Sequence, residues 1–222
     1  NDRIQLALDG AATAQARFHI DARRIYITGI SGGAKVAMMT WACFPDVFAG
    51  SIPIVGLASY KDTPAGAAGV WPALFAKPDP TIFKTLAQQR AAVMTGPPDF
   101  NYENILPMSE AISREGLAIR VFEYADMGHT LPTQERFTEA LSWIDEPYRA
   151  LRAEESHRAQ NLLDTFLASH TPRPPGAPPD AQSMQALDAV MAAGPWTEAA
   201  WKAAALMSGA GEPPSASPAK AP

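Results

Sequence analysis

The 222 residues are 47 % hydrophobic and 18 % charged, enough apolar material for a packed core and too little charge for a disordered polyelectrolyte. A net charge of −5, with Lys and Arg scattered, excludes a nucleic-acid surface, and no apolar run is long enough to cross a membrane. The single Cys43 excludes an internal disulfide and any zinc site built from several cysteines.

In chain order, Ile4, Leu8, Ala11, Ala14 and Phe18 fall near one helical face, which predicts an amphipathic helix from Asp2 to about Phe18, interrupted by Gly10. Arg24 to Ile30 is rich in β-branched and aromatic residues and reads as a buried strand. The Ala, Met, Val and Lys run from Gly32 to about Phe44 reads as a helix stopped by Pro45, with Cys43 expected as a buried core thiol. Gly50 to Gly56 is a second apolar strand, in which Pro53 is awkward for a central position. Pro64 to Gly69 suggests a loop, and Trp71–Phe75 and Thr81–Gln89 suggest short helices. Arg90 to Gly96 is a third strand, followed by a helix from about Glu103 to Glu115 that Gly116 closes. Leu117 to Tyr124 is a fourth strand, and Pro132 to Ile144 the helix after it. Strands alternating with helices predict an α/β fold with a parallel sheet covered on both faces over residues 1–145.

Composition changes after Glu146. Residues 146–207 read as a helical appendage: a charged helix from Tyr148 to about Ser169, a Pro-rich linker over 171–179, and Ala-rich helices over Ala181–Ala192 and Pro195–Met207. The Pro, Ala, Ser and Gly of 208–222 predict a disordered tail. The chain begins at Asn1 rather than Met, as a processed form or a fragment would; removal of a signal peptide would favour a secreted or periplasmic location.

Gly29-Ile30-Ser31-Gly32-Gly33 joins the first strand to its helix and fits the pattern Gly-x-Ser-x-Gly. A serine there sits on a sharp turn, its hydroxyl lifted off the sheet beside the free amides of a helix N-terminus, of which Gly32 supplies one to an oxyanion. A serine hydroxyl needs a base, and the base needs a carboxylate to hold its tautomer. Of the four histidines, His19 lies at the wrong end of the elbow strand, and His157 and His170 read as solvated in the appendage. Only His129 follows the C-terminal end of a strand, where parallel sheets bind ligands. Asp99 also follows a strand end and is favoured over Asp126, three residues before His129, and over Glu103, which opens a helix. Ile30, Tyr60 and Trp71 are candidate substrate contacts, although packing of a helix onto the sheet is the favoured role for Tyr60, Trp71 and Phe75.

The segments Arg24-Ile-Tyr-Ile-Thr-Gly-Ile-Ser-Gly-Gly33, Phe44-Pro-Asp-Val-Phe-Ala-Gly50, Thr95-Gly-x-x-Asp-Phe-Asn101 and Met127-Gly-His129 resemble the elbow, acid and histidine segments of α/β-hydrolase esterases, most of all the polyhydroxybutyrate depolymerase and feruloyl-esterase-like group. The resemblance covers residues 1–145. It implies a partial α/β-hydrolase sheet of about four strands, nucleophile Ser31, acid Asp99 and base His129 in that chain order, and an acyl-enzyme route to hydrolysis of a small or polymeric ester without cofactor or metal. In that fold further strands precede the elbow strand, and one of them brings the loop that supplies a second oxyanion donor. Their absence leaves Arg24–Ile30 as a bare sheet edge, so the chain is expected to be part of a longer hydrolase or to have a partner that covers this edge. A serine peptidase of the same fold and a catalytically incomplete hydrolase-like binding scaffold are the competing readings.

Overall fold

The computed structural model describes residues 2–18, 20–65, 69–170 and 179–209, so His19, most of the Pro-rich linker and residues 210–222 of the tail lie outside the described residues. The chain divides into two compact units, Asn1–Pro147 and Tyr148–Pro222.

In the first unit, α1 (Asp2–Arg17) lays Ala7, Leu8 and Ala11 against the core, whereas Phe18 is turned out to solvent. Residues Ala22–Arg24 form a 3-10 turn, not strand, because the Asp21 carboxylate accepts from the Arg23 amide and caps it. Strand β1 (Tyr26–Ile30) therefore starts later than its composition predicts, and α2 (Gly32–Cys43) follows at once. Cys43 is exposed, a correction to its expected burial: Met38, Trp41 and Ala42 take the inward face of α2, and Cys43 falls outside it.

Strand β2 (Gly50–Ile54) lies between β1 and β5 (Arg90–Thr95), with β6 (Ala118–Glu123) beyond, in a four-stranded sheet of order β1-β2-β5-β6. All three pairings are parallel. Pro53 is tolerated in this central strand because the β2–β5 register runs through Gly50, Ser51 and Ile54 and does not use it. Along β5 the side chains alternate between two cores. Ala91 and Val93 face one that holds Met38 and Trp41 of α2 with Ile105, Met108 and Ile112 of α4 (Tyr102–Ser113). Ala92 and Met94 face another that holds Ala140 and Ile144 of α5 (Gln134–Ser169). This period of two puts helices on both faces of the sheet.

Two predicted helices are corrected. Trp71–Phe75 is not helical: β3 (Thr63–Pro64) and β4 (Val70–Trp71) form an antiparallel ribbon, since Pro72 holds the residue before it extended. The helix expected over Thr81–Gln89 is present as α3 (Pro80–Leu86), capped by the Asp79 carboxylate. The second correction concerns residues 132–169, where one helix of 36 residues, α5, carries Pro147 inside it. Proline has no amide to donate to the carbonyl four residues back. That carbonyl, on Trp143, instead accepts from Arg90 Nη1 at 2.8 Å, and the same nitrogen meets Glu146 Oε2 at 2.6 Å.

In the second unit, Ala159, Leu163 and Phe166 pack with Leu187 and Val190 of α6 (Ala181–Ala193) and with Ala199 and Ala203 of α7 (Glu198–Met207). Helix α7 starts after Thr197, whose hydroxyl accepts from Ala200 N, so Pro195 precedes the helix and does not open it.

Candidate active site

All four strands of the sheet run the same way, so the residues that follow β1, β5 and β6 meet at one edge. Ser31 follows β1, Asp99 follows β5 and His129 follows β6.

Ser31 holds φ 56° and ψ −115°, a conformation that L residues seldom adopt and that a turn between strand and helix imposes. Its amide donates to Ile54 O at 2.8 Å, which carries the β1–β2 ladder one residue past the strand and anchors the turn. Of the motif's glycines, Gly29 is the one close approach demands: a Cβ there would collide with the Gly33 carbonyl, whereas a Cβ on Gly32 or Gly33 meets open space. Gly56 is equally constrained from across the site, where a Cβ would stand 2.5 Å from Ser31 O. Gly32 is exposed and opens α2, whose first amides have no partner within the helix.

The acid turn is built from its own sequence. The Asp99 amide donates to Gly96 O at 2.9 Å, closing a tight turn after β5. The Asp99 side chain is fully buried, and its oxygens accept from Thr95 Oγ1 at 3.1 Å, from the Asn101 amide at 3.2 Å and from His129 Nδ1 at 2.8 Å. Asn101 Nδ2 in turn donates to Val55 O at 3.0 Å; Val55 has φ 46° and sends its own amide to Met94 O. A continuous set of bonds thus runs from the acid turn to the residues that anchor Ser31. Gly96 has no room for a side chain, because a Cβ would collide with the carbonyls of Tyr124 and Met127 as the two loops pass.

With Nδ1 turned to Asp99, His129 has Nε2 as the other polar atom of its ring. Its side chain is 27 % exposed and stacks on the Phe100 ring, centroids 4.1 Å apart. Among the described residues no hydrogen bond joins the Ser31 hydroxyl to His129. Asp126 is not part of this arrangement: it is 73 % exposed and paired with Arg136 Nη2 at 2.6 Å. Glu103 lies in the first turn of α4.

The remaining candidates separate. Trp71 lines a cavity of about 280 Å3 together with Lys35, Leu57, Leu74, Phe100 and Met108. Tyr60 does not line it; it is buried edge-on against Phe75 and Phe83, the packing role. Ile30 is half-exposed at the end of β1. In the second unit His157 meets Asn161 on an exposed face, whereas His170 stacks on Phe166 and is half-buried, against its expected solvation. Phe100, Thr95, Asn101 and Gly96 were not singled out as site residues; their mark in the sequence is their place in the Thr95–Asn101 segment around Asp99.

No family model matches the chain. A stretch of 42 residues is 48 % identical to a poly(3-hydroxyalkanoate) depolymerase C of Paucimonas lemoignei, covering 19 % of this chain and 10 % of that protein. Among solved structures, YahD with malic acid is similar with 19 % identity over 64 % of this chain and 60 % of its own, at a TM-score of 0.44. FphF, a fluorophosphonate-binding serine hydrolase of Staphylococcus aureus, is 16 % identical over 63 % of this chain and 62 % of its own, at 0.43. The structural neighbours include esterases and serine hydrolases. This chain spans about three-fifths of the length of the first two structures and a tenth of the depolymerase. The parallel sheet with helices on both faces and a strand–turn–helix at Ser31 is consistent with part of an α/β-hydrolase fold. No helix among the described residues is long and apolar enough to cross a membrane.

Proposed function

We propose that this chain carries the catalytic centre of a serine hydrolase that cleaves carboxylic esters. The observation that carries the reading is the 2.8 Å bond between His129 Nδ1 and a buried Asp99, at the same sheet edge as a serine held at φ 56°. In this reading His129 Nε2 takes the Ser31 hydroxyl proton as the oxygen attacks the ester carbonyl. Asp99 holds the imidazole tautomer and stabilises the imidazolium. The Gly32 amide, at the positive end of α2, donates to the oxyanion; one such donor is typically worth about 100- to 1000-fold in rate. Collapse of the tetrahedral intermediate expels the alcohol, which takes the proton back from His129. Water then repeats the cycle on the acyl-enzyme and releases the acid. The likeness to a depolymerase over 42 residues supports an ester as the substrate.

The test is labelling of the whole chain with a fluorophosphonate, read by intact mass and peptide mapping. One adduct on Ser31, lost in Ser31→Ala and in His129→Gln, is the expected result. A folded chain that takes no adduct, or takes it elsewhere, overturns the proposal.

A further inference from the structure

Phe100 is 75 % exposed, an unfavourable place for a large apolar ring. Yet its position is set from both sides. Asp99 before it closes a turn onto Gly96, and Asn101 after it is bonded to Val55 O through its side chain. The ring so presented lies over His129, with 4.1 Å between centroids and 26° between planes. Phe100 is also among the residues lining the 280 Å3 cavity, with Trp71, Pro72, Leu57, Leu74 and Met108 as its other apolar walls and Lys35, from the start of α2, among its polar ones. One side chain therefore belongs both to the environment of the base and to the neighbouring cavity. That cavity is smaller than the roughly 300–1,000 Å3 of sites for drug-sized ligands, a volume suited to a short acyl chain and not to a long lipid tail.

We propose that Phe100 is a positioning residue for His129 and, at the same time, the wall that sets acyl-chain length in a short-chain ester pocket. The second half rests on the esterase reading; the first does not. Stacking restricts rotation of the imidazole about its link to the chain, so Nε2 stays directed while Nδ1 holds Asp99. An acyl chain in the cavity would meet Phe100 among its walls while the Phe100 ring stacks on His129. Filling of the pocket and orientation of the base are then coupled through a single aromatic group.

The experiment uses the whole chain with Phe100→Ala, Phe100→Tyr and His129→Gln. Because Phe100 is exposed, truncation opens no hole in either core. In proton–carbon spectra of chain labelled at the histidine ε1 carbons, the resonance missing from His129→Gln identifies His129. A stacked ring shields that proton, so Phe100→Ala should move it downfield and Phe100→Tyr should restore it. An unmoved resonance overturns the positioning role. Hydrolysis of p-nitrophenyl esters from acetate to dodecanoate then reads the pocket. The parent should prefer short chains; Phe100→Ala should lower kcat by up to about 100-fold, the scale of a misplaced catalytic geometry, and move the optimum to longer chains. An active Phe100→Ala with the parent's optimum overturns the pocket assignment. A parent that cleaves none of these esters, while its His129 resonance responds to Phe100 as expected, overturns the ester pocket and supports the positioning role.

Discussion

Asp99 and Asp126 both follow strand ends, and what separates them is the company each keeps. Asp99 is buried among a threonine hydroxyl, a backbone amide and an imidazole, whereas Asp126 stands in solvent beside Arg136. A buried carboxylate is retained at a desolvation cost, and its bonds there hold a partner in one orientation; an exposed ion pair of long side chains does little of either. Replacing Asp99 by Asn keeps the size of the side chain but presents an amide to Nδ1 and favours the wrong tautomer. It should lower kcat/KM on a small ester by about 10³- to 10⁴-fold, while Asp126→Asn leaves it unchanged; matched assays of the two variants decide between the carboxylates. The pairing of Asp99 with His129 was legible from sequence because each closely follows the end of a strand. Phe100 was not, since a lone aromatic after a turn carries no periodicity to reveal its partner. Cys43 shows the same limit: the α2 run is apolar nearly all round, and its pattern does not say which side faces the sheet.

At the scale of elements, the sheet was legible because β2 and β5 are nearly continuous apolar runs, as strands buried on both faces must be. What escaped were the places where a proline meets a partner distant in sequence. Pro147 ends a predicted helix by the local rule, yet Arg90 supplies the hydrogen bond that the proline cannot, and α5 continues. Trp71 reads as helical beside Leu74 and Phe75 until Thr63 pairs with it. Glycines also divide at this scale. Gly96 lies where the loop after β5 passes the loop after β6, and those loops carry Asp99 and His129. Gly96→Ala should force them apart, destabilising the first unit by about 1–3 kcal/mol as overpacking does and abolishing fluorophosphonate labelling of Ser31. Gly10, with open space around its missing Cβ on α1, should respond the other way. Gly10→Ala gains about 0.5–1 kcal/mol of helix stability and leaves labelling intact. Denaturant midpoints measured beside labelling yields would show the two signs.

Over the whole molecule, the cavity wall draws on Leu57, Trp71 and Leu74, from a segment between β2 and α3 whose described residues hold the short β3–β4 ribbon. Leu74 N donates to Ser59 O and Ala73 N to the Asp62 carboxylate within the segment. Beside the core packing of Leu57, Ala58 and Tyr60, an ionic tie runs to Glu115, just past α4, which takes Lys61 at 2.5 Å and Lys77 at 2.6 Å. Hydrogen bonds from the Lys61 ammonium first and the Lys77 ammonium second, with their charge, pull the Glu115 carboxyl down from its ordinary 4.5 to about 2. The direction of the pH effect follows. Between about 4.5 and about 2 the unfolded chain carries a proton on this residue that the folded chain does not, so stability falls as pH falls. Above that window the contribution is fully present. The lysines are half-exposed, so salt should weaken the effect. A thermal-unfolding series from neutral pH down to about pH 2.5 should show a midpoint that drops through the acid range in the parent and drops less in Glu115→Gln. Added salt should narrow the gap between the two. Because the tie holds the segment that carries Trp71 and Leu74, loss of the ion pairs in acid should be followed by a red shift in the Trp71 emission, taken as the difference between the parent and Trp71→Phe, before the sheet itself unfolds. Coincident fluorescence and circular-dichroism transitions in the parent would show that the segment and the sheet melt as one unit, and that Glu115 acts on the whole domain and not on the cavity wall alone.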